Sequence, residues 1–306
     1  MLNWEHLGSY AGLPIAEVGD GAAAERPDRH AWRVAAAVYD EIPLTRAWES
    51  FRARVDLARV TTLVLGDWSS PYDAAYVPVV PLLTAAAAEL PNLRSLFLGD
   101  IVGEEQEISW ITHTDITPLF TAFPRLERLD VRGSQGLRLE PFASASLRTL
   151  RFEDGGLPAH IVGAVAASDL PNLEHLAFWL GTVNYGGDTT LDDLAPLLAG
   201  DRFPSLKHLG LENSELQDEI AAAVASAPGV AWLESLSLAL GTLSDDGVEA
   251  LLSGQPLGHL ARLDLHHHFV GEEMERRLRA ALPDVDVDLT DRQTRQGDGR
   301  FIAVAE

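Results

Sequence analysis

Apolar residues recur along most of this chain in the spacing L-x-x-L-x-L, plainest in Leu206-Lys207-His208-Leu209-Gly210-Leu211. Within such a unit the apolar positions alternate as in a strand with one buried face; between units they fall at helical intervals. Aligned on the middle apolar residue, the units stand at Leu63, Leu96, Leu129, Leu150, Leu176, Leu209, Leu236, Leu263 and, more weakly, Val287. Leu209, Leu236 and Leu263 are 27 residues apart (236 − 209, 263 − 236), a length that holds one strand and one full helix. Helices are predicted near 45–60, 78–90, 114–122, 158–168, 218–227, 245–253 and 271–281, with another after Thr190. Most end at a proline such as Pro91, Pro124, Pro171 or Pro204. Ser214-Glu215-Leu216-Gln217 reads as a capping box, and Thr190 to Asp193 as a weaker relative of it.

A unit of this kind buries its leucines but cannot close a core alone, so neighbours must stack. The pattern therefore predicts an α/β solenoid of about eight repeats, a curved horseshoe with a parallel sheet on the concave side and helices on the convex side. Residues 1–58 lack the repeat and are predicted to cap an array spanning 59–289. In the tail, 290–306, the apolar run Phe301 to Ala305 adds a strand or covers the end of the array.

The segments Leu93 to Leu98, Leu126 to Val131, Leu173 to Phe178, Leu206 to Leu211, Leu233 to Leu238 and Leu260 to Leu265 make the chain resemble leucine-rich-repeat proteins of the ribonuclease-inhibitor-like type. The wording Ala11-Gly12-Leu13-Pro14, Phe97 to Ile101 with Glu107 to Ile111, Leu180 to Asp188, and Asp264 to His268 further resembles a group of uncharacterised bacterial leucine-rich-repeat proteins. The broader resemblance implies a horseshoe that binds other proteins on its concave sheet. The asparagine usual three residues after the last leucine is replaced here by Ile101, Ser134, Gly155, Gly181, Ser214, Gly241 and His268.

Strand alternation sends the intervening positions of each unit onto the concave face. There Arg128, Asp130, Arg132, Arg151, Glu153, His175, Trp179, His208 and Glu212 gather, the mixture of arginine and aromatics enriched at interface hot spots. A solvated sheet face with mutually neutralising charges is the alternative reading. Three insertions, 66–77, 99–112 and 181–189, fall between strand and helix at the carboxyl edge of the sheet and carry Trp68, Tyr72, Trp110 and Tyr185. Those aromatics either meet a partner or pack the loops onto the solenoid.

Charge narrows the partner. Lys plus Arg number 23 against 46 Asp plus Glu, a net charge of -23, which repels phosphate backbones and anionic lipid. The expectation is an unidentified protein partner, no nucleic acid, no membrane, and a monomer. The absence of cysteine excludes disulfides and thiolate metal sites, and the opening residues carry no basic and apolar signal; a cytoplasmic location fits both.

His266-His267-His268 invites a metal reading, with His266 and His268 on one side of a strand and Asp264 as third ligand, a set too small to predict a bound cofactor. Asp284, Asp286 and Asp288 imitate a calcium loop, but Leu289 and Arg295 stand where it needs glycine and glutamate. No phosphate-binding loop, zinc-hydrolase or nucleophile-elbow motif occurs. The sequence thus points to a non-catalytic interaction module. The alternative is a small-ligand or metal-binding protein, or a hydrolase using acidic and histidine groups such as Asp130, Glu153 and His175.

Overall fold

The leucines that set the sequence register lie side by side in the sheet: Leu63 opposite Leu96, Leu96 opposite Leu129, Leu176 opposite Leu209, and Leu209, Leu236, Leu263 and Val287 in one row. All are buried, and each leucine taken from water stabilises the fold by about 1.5–3 kcal/mol. These pairings come from a computed structural model that describes residues 5–36, 42–68, 76–294 and 299–306. The chain forms two compact units, Met1–Thr149 and Leu150–Glu306, rather than dividing where the repeat wording starts and stops.

The first unit holds strands β1 (Ser9–Tyr10), β2 (Leu13–Glu17), β3 (Ala31–Val34), β4 (Thr62–Leu65), β5 (Ser95–Leu98) and β6 (Arg128–Arg132), lying in sequence order. β1 and β2 make an antiparallel hairpin; from β2 onward pairing is parallel. The sheet therefore starts two strands before the first leucine-rich unit, and the segment read as a cap supplies sheet as well as helix. Between strands lie α1 (Gly21–Ala24), α2 (Leu44–Arg54), α3 (Val79–Ala85) and α4 (Pro118–Ala122).

The second unit continues with β7 (Thr149–Glu153, beginning on the last residue of the first), β8 (His175–Gly181), β9 (His208–Ser214), β10 (Ser235–Ser237), β11 (Arg262–Asp264) and β12 (Asp286–Asp288). Its helices are α5 (Ala159–Ala166), α6 (Leu191–Leu198), α7 (Gln217–Ala225), α8 (Asp245–Ser253) and α9 (Glu272–Ala281). Strand followed by helix, with strands parallel, is the architecture of a repeat solenoid. No helix among the described residues is long and apolar enough to cross a membrane.

Two local devices repeat with the leucines. Asp218 of α7 accepts from the backbone N–H of Ser244 at 2.7 Å and from its hydroxyl at 2.7 Å, while Asp245 of α8 accepts from Gly271 N–H at 2.7 Å. Each carboxylate thus satisfies free donors at the start of the next repeat's helix. The expected box at Thr190 also forms, both its N–H and its hydroxyl donating to Asp193. At the strand ends, Asn213, Leu240, His267 and Asp291 all turn left-handed, with φ of 56°, 66°, 56° and 58°. The first three donate their N–H to Ala239, His266 and Thr290 of the neighbouring repeat.

The tail crosses these turns without forming a strand. Asn213 donates to Val304 O at 2.6 Å and accepts from Val304 N–H at 3.0 Å; Ala303 N–H donates to Leu240 O at 2.8 Å; His267 Nε2 donates to Phe301 O at 3.2 Å. With Ile302 and Val304 buried, residues 301–304 cover the carboxyl edge of three repeats.

Candidate functional site

The sheet face opposite the helices differs between the two units. In the first it is filled by the chain itself. The turn at Ala11 and Gly12, both at positive φ, folds the β1–β2 hairpin so that Tyr10, Leu7, Leu13 and Ile15 pack on Ala31, Val64 and Phe97. Tyr10 stacks on Phe97 at 5.6 Å, and its hydroxyl donates to Asp130 Oδ2 at 2.7 Å, with Leu96 O 2.8 Å away. Burial and the adjacent Asp130 push the phenol pKa well up. Arg128 pairs with Asp130 at 2.6 Å and lies over the Tyr10 ring at 5.0 Å; Arg132 is buried over the Phe97 ring at 5.2 Å. This corrects the sequence expectation for Arg128, Asp130 and Arg132: they face the chain's own tyrosine and phenylalanine, not a partner. The sequence signal was the Ala11-Gly12 turn placing an aromatic one residue earlier.

In the second unit the same face carries an ordered polar surface. Arg151 lies over the Trp179 ring at 5.4 Å and pairs with Glu153 at 2.9 Å and Glu212 at 3.5 Å. The Trp179 indole N–H donates to Glu212 Oε2 at 2.7 Å, fixing a half-buried aromatic on the sheet. Gly210 makes this geometry possible, since a Cβ there would stand 2.9 Å from Ala177 Cβ and 3.1 Å from Glu212 Oε1. Beside it the imidazoles of His175 and His208 stack at 4.0 Å, 9° from parallel, and His208 Nδ1 shares a 2.7 Å hydrogen bond with Ser235. Burial lowers the His208 pKa against the pull of Glu212. Arg151, Glu153, His175, Trp179, His208 and Glu212 are thus brought together as expected.

Further along the sheet Arg262 holds Asp264, Asp286 and Asp288 at 3.1, 2.9 and 2.8 Å. His266 Nδ1 donates to Asp264 Oδ1 at 2.7 Å. Burial works against ionisation of Asp264, yet bonds from His266 and Arg262 hold its pKa at about 2, and the same carboxylate raises that of His266. One donor atom from each of Asp264, His266 and Asp288 lies within 4.8 Å of the other two. His268 is not part of this group, contrary to strand alternation. The left-handed turn at His267 rotates it inward, where it is fully buried, donates from Nε2 to Leu289 O and accepts Val270 N–H at Nδ1. Asp288 takes its place; the weak repeat at Val287 was the signal that put it on this face.

The loop aromatics separate. Trp68 is 2% exposed, its indole donating to Thr112 O at 2.9 Å against the edge of His113, so it packs its loop. Trp110 is 52% exposed and Tyr185 half-buried; Tyr72 lies outside the described residues.

No family model matches the chain, nor does any curated protein. Among solved structures, the chain is similar to the crystal structure of an uncharacterised Bacteroides fragilis protein, with a TM-score of 0.78 and 28% identity over 85% of this chain and 74% of that one.

Proposed function

We propose that this protein is a non-catalytic interaction module of the leucine-rich-repeat type, a scaffold or inhibitor acting as a cytoplasmic monomer, and that the sheet face of its second unit binds a partner protein. The carrying observation is Trp179, held on an accessible sheet face between Arg151 and Glu212. A rigid aromatic flanked by arginine loses little entropy on binding and is the side-chain pairing most enriched at hot spots. The carboxylates of Glu153, Glu212, Asp264, Asp286 and Asp288 outnumber Arg151 and Arg262 on this face, so the partner's matching surface is basic. Exposed Trp110 and half-buried Tyr185 are secondary contact candidates.

The test is affinity capture from native cell extract by wild type and by the Arg151→Glu, Trp179→Ala double variant, with equal helix content verified by circular dichroism. A protein held by wild type and lost by the variant supports the reading. Identical captures from both refute it.

A further inference from the structure

We propose that Asp264, His266 and Asp288 form a binding site for a divalent transition-metal ion such as zinc, with the Ser237 hydroxyl beside it. This goes beyond partner binding and does not depend on it.

Three features carry the argument. The first is convergence: one carboxylate oxygen from each aspartate and one imidazole nitrogen lie within 4.8 Å of one another. Asp264 and Asp288 are direct cross-strand partners in β11 and β12, so backbone pairing fixes their spacing. The second is Ser237, the partner of Asp264 on β10, which therefore points to the same side of the sheet. Ser237 is 2% exposed and its Oγ has no hydrogen-bond partner among the described residues. Leaving a buried hydroxyl unmatched costs on the order of 1–3 kcal/mol, and a metal-bound water is a natural acceptor or donor for it. The third is donor chemistry. Two carboxylates and one imidazole match the mixed nitrogen and oxygen sets of zinc and related ions, with further positions left for water.

Arg262 is the competitor. Its half-exposed guanidinium spans Asp264 Oδ2 and Asp288 Oδ2, so a cation entering the site displaces it or the proton shared by Asp264 and His266. An ordinary structural ion-pair network and a metal site therefore respond oppositely when Arg262 is removed.

The experiment uses the full chain, freed of metal with chelator and titrated with zinc by calorimetry and with cobalt by visible absorption. One equivalent is expected to bind, with affinity reduced at least about tenfold by His266→Ala and by Asp288→Asn and increased by Arg262→Gln. His30→Ala, at an exposed histidine of the first unit, is expected to leave the affinity unchanged. Cobalt is also expected to broaden the His266 ring resonances of wild type, a readout that needs no substitution. Absence of stoichiometric binding, or binding indifferent to both His266→Ala and Asp288→Asn, overturns the proposal.

Discussion

His113 gives the first unit a defined sensitivity to acid. The ring is buried, Nε2 donates to Arg132 O at 2.8 Å, and Nδ1 has no partner among the described residues. Only the neutral Nε2–H form fits, because a proton on Nδ1 would leave a charged donor with nothing to accept it. Burial accordingly lowers the pKa from 6.5 to about 4, against the pull of the Arg132 carbonyl. The sign follows: between pH 6.5 and about 4 the unfolded chain holds a proton that the folded chain refuses, so stability falls as pH falls through that window. The loss is about 2 kcal/mol by pH 5 and about 3 kcal/mol below pH 4, a large share of the roughly 5–15 kcal/mol that holds a typical domain. Urea denaturation of wild type and His113→Gln at pH 7.5 and 5.0 measures it, since glutamine retains an N–H for Arg132 O but does not titrate. Wild type is expected to lose about 2 kcal/mol more than the variant over this interval. Equal losses, or an His113 ring resonance that titrates near pH 6.5, would refute the reasoning.

Tyr10→Phe removes the hydroxyl from Asp130 and Leu96 and is expected to destabilise the first unit by about 1.5–3 kcal/mol in urea denaturation, because the bond lost is to a charged group. An unchanged midpoint would mean the hairpin is held by apolar packing alone. Asn213→Ala removes a fully buried amide that bridges Asp154 O and both backbone groups of Val304, at a left-handed position that alanine tolerates poorly. It is expected to cost about 2–4 kcal/mol and to speed amide exchange at 303 and 304 more than in the β9 strand interior.

Much of the fold was legible because burial and period act locally. Every printed register pair follows the leucine alignment, and α6, α8 and α9 start within a residue or so of their capping signals. β2 and β3 were not counted as repeats because Ile15, Ala16 and Trp32 do the leucines' work without the leucine wording. The site was half legible. Alternation placed Arg151, Trp179 and Glu212 on one face, as they are. It failed where long-range contacts decide: Tyr10 reaches Asp130 across 120 residues, and no local pattern announces that. It failed again at His268, because alternation assumes extended backbone and His267 is left-handed.

The central claim is that the second unit's sheet face is where a partner binds. A photo-crosslinking aromatic amino acid placed at position 179, and separately at the exposed helix position 276, and irradiated in the native cell, tests it directly. The account predicts a discrete covalent adduct with a basic protein from position 179 and none from position 276. The same adducts from both positions, or none from 179 while the protein remains folded, would contradict it.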